Sequence, residues 1–94
     1  MSRYIMMGKY HEDSIKSANP NRTEKAGRLI HELGGEVIDI YALLGNFDLV
    51  VIVELENEKI AMKASLGLSA LTGISFSTYP AVSISDFDRI IGDA

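Results

Sequence analysis

Hydrophobic residues fall along this chain in two spacings: short continuous runs, and stripes that return every three or four residues. The strongest run, Leu49-Val50-Val51-Ile52-Val53, holds no polar residue and is mostly β-branched, the composition of a strand covered on both faces. It predicts a central strand from Phe47 to Leu55. Just before it, Gly45-Asn46 separates two apolar arms, and such a pair supplies the positive φ of a two-residue hairpin turn. Glu36 to Leu44 is then the first arm, with Asp39 marking an edge position. A second run, Tyr4-Ile5-Met6-Met7, predicts a first strand from Arg3 to Tyr10, with Gly8 a bulge or a point of close approach. Ile74 to Val82 reads as a last strand, and Pro80 within it cannot donate to a ladder, which confines it to an edge.

The helical stripes lie between these runs. Ala26, Leu29, Ile30 and Leu33 follow the i, i+3, i+4, i+7 rule. Asn19-Pro20 ahead of them is an N-cap followed by a proline at the first helical position, and Gly34-Gly35 behind them is a left-handed stop. A helix is expected from Pro20 to Leu33, with one or two short turns in His11 to Ala18. Asn57 caps a second helix, reaching Leu71 and carrying Ile60, Ala61, Ala64, Leu68 and Leu71 toward the sheet. Gly67 and Ser65 inside it read as close-packing positions, and Gly73 ends it. Ser85 to Ile91 predicts a terminal helix capped by Ser85, with Phe87, Ile90 and Ile91 docking.

The resulting order is β-α-β-β-α-β, an α+β ferredoxin-like two-layer sandwich. In this reading the first and third strands are central and parallel, and the second and fourth are edges. The continuous apolar runs fall on the two central strands, while Asp39 and Pro80 fall on the edges, so two levels of the sequence agree.

At 94 residues the chain is expected to form a single domain over 1–94. A domain of this size buries a limited share of its surface, so association would help it. A formal net charge of -4 lacks the basic footprint from which affinity for nucleic acid is drawn. With no cysteine, disulfides, thiolate chemistry and Cys-based metal centres are excluded. Neither a signal peptide nor a membrane span is legible, and the cytoplasm is the expected compartment.

Tyr4-Ile5-Met6-Met7-Gly8-Lys9-Tyr10, Leu44-Gly45-Asn46-Phe47-Asp48 with the apolar run and Glu54 after it, and the small-residue second helix together resemble the GYD domain family. That family is named for a Gly-x-Tyr-Asp-type hairpin motif, and Phe47 stands here where its tyrosine stands. The resemblance covers nearly the whole chain. It implies a ferredoxin-like fold of the dimeric α/β barrel kind and little about activity, because fold analogy does not carry chemistry.

Candidate chemistry is sparse. His11 and His31 have no second histidine at i+3 or i+4, so no metal site is expected, and no cofactor motif is present. Asp48 has two readings: an acceptor for turn amides, or a partly buried carboxylate acting as a general base at the mouth of a cavity. If Leu49, Val51, Val53 and Leu55 face the helices, then Asp48, Val50, Ile52 and Glu54 face the other way. The same phasing sends Tyr41, Asp39, Leu43, Ser77 and Tyr79 to that second face. Tyr4, Met6 and Tyr10 join them if Ile5 and Met7 point at the helices, which puts all four tyrosines on one face. Tyr10, Tyr41, Asp48 and Tyr79 are therefore the candidate ligand-binding residues. Met6, Tyr41, Leu43, Val50, Ile52 and Tyr79 form the candidate interface.

Two functions from different classes follow. One is a non-catalytic small-molecule-binding or stress-associated module that works as a homodimer or higher oligomer through the sheet face and takes a small apolar or aromatic ligand. The other is a cofactor-free oxygenase or isomerase using Asp48 and Tyr41 as base and acid in a pocket between sheet and partner. Neither nucleic acid nor membrane is an expected partner.

Overall fold

The structure is a computed structural model that describes residues 1–92. Its elements are β1 (Ser2–Lys9), α1 (Glu12–Lys16), α2 (Pro20–Glu32), β2 (Glu36–Ala42), β3 (Leu49–Leu55), α3 (Glu58–Thr72), β4 (Ser75–Ala81) and α4 (Ile84–Gly92). The strands form one sheet in the order β2-β3-β1-β4, so the fold is α+β and ferredoxin-like, with the two apolar runs central and the Asp39 and Pro80 strands at the edges. One expectation about this sheet is overturned: β1 and β3 run antiparallel, with Tyr4 opposite Val53 and Met6 opposite Val51. The cause is the connectivity. The α2 crossover returns the chain so that β2 runs in the direction of β1, and the β2–β3 hairpin then reverses it, so a β3 lying between them opposes both.

The helices begin and end where the local chemistry directs. The Asn19 side chain accepts from the Arg22 amide at 2.9 Å, with Pro20 at the first helical position. The Asn57 side chain accepts likewise from the Ile60 amide at 3.0 Å. α3 ends on Gly73 in the left-handed region, φ 72°, where a residue with a Cβ would be strained. Gly67 lets α3 cross α2 closely, since a Cβ there would lie 3.2 Å from Leu29 Cδ1. Ser65 accepts from the Thr78 hydroxyl of β4 at 3.2 Å.

The core lies between the sheet and α2 with α3. Tyr4, Met6, Val51, Val53 and Leu55 enter it from the strands, and Ile30, Ala61, Ala64 and Leu68 from the helices. The phase chosen for β3 therefore holds, but the phase for β1 is reversed. Met6 is 0% exposed and faces the helices, so it is no interface residue, and Tyr4 is a core residue beside it. A run of four apolar side chains has no polar marker to show which alternate pair points inward. Cross-strand pairing with Val51 and Val53 decides it.

Two further expectations change. The connection between β2 and β3 is a loop over 43–48 rather than a two-residue turn. Asp48 ties it down by donating its amide to the Gly8 carbonyl at 2.9 Å and accepting, through its own carbonyl, from the Leu43 amide at 2.8 Å, so β3 begins at Leu49. Gly45 does take a positive φ of 140°, within that longer loop. At the other end, α4 is capped by Ser83, whose hydroxyl accepts from the Asp86 amide at 3.1 Å, and not by Ser85. The expected docking does not occur among the described residues: Phe87, Ile90 and Ile91 are 46%, 60% and 57% exposed.

Candidate functional site

Because side chains alternate along a strand, burying one face of the sheet under α2 and α3 leaves the other face open. At its centre Ile5 pairs with Ile52 and Met7 with Val50, all four half-buried. Tyr41 pairs with Val50 on one side and Tyr79 with Ile5 on the other. This is an apolar strip two strands wide flanked by two phenols. An Arg3–Glu54 ion pair at 2.8 Å closes one end; as a largely exposed pair it contributes little to stability.

The second feature lies on the helix side. Between α2 and the sheet is a cavity with ≈ 70 Å³ of room for the centres of water-sized atoms, several times the ~10–15 Å³ that one water needs. Its walls are apolar: Ala26 and Ile30 of α2, Leu49 of β3, Leu68 of α3, Ile74 and Phe76. Thr72 also lines it, but its hydroxyl is spent within the fold, donating to the Leu68 carbonyl at 2.7 Å and accepting from the Ile74 amide at 3.1 Å. Tyr10, Arg22 and Thr23 form the partly exposed rim. The Arg22 guanidinium sits 5.8 Å from the centre of the Tyr10 ring and donates to the Ser14 carbonyl at 2.5 Å. Gly27 lines the cavity from α2, and a Cβ there would meet nothing within 4 Å. Gly27→Ala should therefore raise stability by about 0.5–1 kcal/mol through helix propensity and a less flexible unfolded chain; a lower urea midpoint would contradict this.

The four candidate ligand-binding residues separate between these places. Tyr10 and Asp48 meet at the helix-side cavity's end of the sheet, where Asp48 Oδ2 accepts from the Tyr10 amide at 2.9 Å. Tyr41 and Tyr79 stand on the open face, on opposite edge strands. The four tyrosines thus do not share a face, because β1 takes the phase described above and Tyr10 lies past its end. No hydrogen bond joins Asp48 to Tyr41. The Tyr41 hydroxyl donates instead to Asp39 Oδ2 at 2.7 Å, and that carboxylate, through the hydrogen bond and its charge, raises the phenol's pKa. The carboxylate favours the protonated phenol, so Asp39→Asn should let Tyr41 ionise at lower pH. An unchanged Tyr41 ring-carbon titration by NMR would contradict this.

The histidines have structural neighbours. His11 Nε2 lies 2.6 Å from Ser75 Oγ, and His31 sits in the last turn of α2, where a cation suits the helix dipole. Leu43 is half-buried where β2 ends. Among the described residues no group of three His, Asp or Glu side chains could hold a metal ion, and no helix is long and apolar enough to cross a membrane. Sequence reasoning did not single out Arg22. The available signal was a cation in a first turn that holds no acidic residue.

The GYD domain model matches residues 4–91. Among solved structures, the chain is similar to the Thermus thermophilus protein TTHA0845, at 25% identity and a TM-score of 0.53, over 88% of this chain and 95% of that one. It is also similar in fold to the leucine response regulatory protein of Mycobacterium tuberculosis, at 10% identity and a TM-score of 0.59. That match covers 87% of this chain and 51% of the regulator, so this chain spans about half of that protein's length. No curated protein matches the chain significantly.

Proposed function

The chain belongs to the GYD domain family, and from that premise we propose that it is a non-catalytic, small-molecule-binding module that works as a homodimer joined through the open face of its sheet. The observation that carries this reading is the apolar strip of Ile5, Met7, Val50 and Ile52, which nothing within residues 1–92 covers. Contiguous apolar surface of this kind is uncommon on monomers and usually marks an interface. Burying about 500 Å² on each partner at ~25 cal/mol/Å² yields about 12 kcal/mol from each side. That stands against an association cost of ~4–15 kcal/mol.

A sheet-to-sheet contact about a two-fold axis is isologous, so one strip serves both partners. α4 supports the same arrangement: Phe87, Ile90 and Ile91 are left exposed among the described residues, and a second copy offers them a seat. The phenols of Tyr41 and Tyr79 suit the rim of such an interface, each giving apolar area with a polar tip. The binding role draws support from the helix-side cavity, whose apolar walls and few polar groups at the rim are the usual make-up of a small-molecule site. Light scattering on a sizing column at micromolar concentration tests the assembly. The expected mass is about twice the 10.3 kDa of one chain, and a single-chain mass overturns the dimer. A thermal-shift survey of small metabolites tests the binding role, which a survey without a stabilising compound would remove.

A further inference from the structure

We propose that the cavity under α2 is a binding site for a short apolar carboxylic acid, its tail among Ile30, Leu68, Ile74 and Phe76 and its carboxylate on Arg22. This rests on the small-molecule-binding half of the reading above and is independent of its dimer half, because the cavity lies on the opposite side of the sheet from the open strip.

Three observations carry it. The first is an uncompensated cation: Arg22 is half-buried, and no carboxylate among the described residues pairs with it. A charge partly removed from water is ordinarily paired, whereas Arg22 has only the Ser14 carbonyl and the face of the Tyr10 ring. The second is its place. Arg22 lies in the first turn of α2, which contains no acidic residue. The helix dipole disfavours a cation there, so an anion beside it would relieve both Arg22 and the helix end. The Ser14 carbonyl and Tyr10 ring hold the guanidinium at the cavity rim in spite of that cost, and its planar donors match a carboxylate.

The third observation is the shape and lining of the space below it. The cavity, with ≈ 70 Å³ for the centres of water-sized atoms, has room for more than one water and so for a short straight or branched tail. Thr72, the polar residue deep in the wall, has its hydroxyl already satisfied, so the interior offers an incoming group apolar contact alone. A polar solute would be desolvated there without compensation. Inorganic phosphate has the charge for Arg22 but no tail to fill the cavity, and a primary amide has the tail but no charge.

The experiment compares 3-methylbutanoate, pentanoate, their primary amides and inorganic phosphate on the full chain, by calorimetry and by methyl NMR. The expected result is that each acid binds at least about tenfold more tightly than its amide, in keeping with a charge-assisted bidentate contact. Phosphate should bind more weakly than either acid. Shifts should fall on the methyls of Ile30, Leu68 and Ile74. Arg22→Gln is expected to remove the preference for acid over amide, and Arg22→Lys to keep part of it. Ala26→Leu, which fills the cavity from α2, is expected to abolish binding of both while the free protein still melts cooperatively, so the test does not depend on the Arg22 variants folding well. Equal binding of acid and amide, an undiminished preference in Arg22→Gln, or shifts confined to Ile5 and Ile52 on the other face overturns the proposal. A wild-type monomer that binds the acids supports this site and removes only the dimer, whereas a dimer that binds none removes only this site.

Discussion

Ile52→Asp should turn the proposed dimer into a monomer at micromolar concentration while leaving the protomer folded. Ile52 stands at the centre of the open strip, opposite Ile5 on β1 and Asp39 on β2. In the protomer it is only half-buried, so a carboxylate there reaches water and costs the fold little. In a face-to-face dimer the same carboxylate, and its copy across the two-fold axis, would be buried beside Ile5 and Asp39 with no free cation to pair with, since Arg3 at the end of the strip is already paired with Glu54. An unpaired buried charge is among the most costly substitutions known, on the order of 3–5 kcal/mol, and the symmetry imposes it twice. The dissociation constant should therefore rise by at least about a thousandfold. Light scattering reads the mass and circular dichroism the fold. A dimer that survives the substitution moves the interface off this face.

A large loss of stability is expected from adding one methyl group at Gly35, where α2 hands the chain to β2. A Cβ at this position would lie 2.6 Å from the Glu54 carbonyl oxygen and closer still to Leu55 Cδ2. The Leu55 side chain is fully buried and has nowhere to retreat, and the carbonyl belongs to the central strand β3. Gly35→Ala must shift the start of β2 against β3, an overpacking cost of about 1–3 kcal/mol. At ~4–8 °C per kcal/mol for a domain of this size, the melting temperature should fall by about 5–20 °C at fixed protein concentration. Removing the Leu55 side chain as well should not restore stability. The backbone oxygen remains in the way, and Leu55→Ala adds its own cavity cost of about 2–5 kcal/mol. A Gly35→Ala protein that melts with the wild type would show that β2 can move freely here, contrary to the packing described.

What the sequence alone determined is what local chemistry decides. Asn19-Pro20 and Asn57 start helices because a side-chain oxygen and a missing N–H act within a few residues, and each does so here. The continuous run of β3 places it at the centre of the sheet because only a strand flanked on both sides tolerates so few polar groups, and Pro80 is held to an edge by its lack of a donor. The fold class follows from that order, and the charges of Asp48 and Glu54, sent away from the helices, were enough to phase β3.

Tertiary structure alone decided the rest. Tyr4-Ile5-Met6-Met7 contains no polar residue to mark an outward side, so whether Met6 lies in the core or on the open face depends on which β3 residues it pairs with, more than forty positions away. The same pairing separates Tyr4 and Tyr10 from Tyr41 and Tyr79 and breaks up the expected cluster of phenols. Asp48 reads in sequence either as the acceptor of its own turn or as a general base, yet its carboxylate is taken by the Tyr10 amide at the end of a neighbouring strand. The setting of Arg22 was obscured for a related reason. A charged residue on the polar side of an amphipathic helix is solvated by default, and only the packing of α2 over the sheet sets this one above an apolar cavity with no anion of its own.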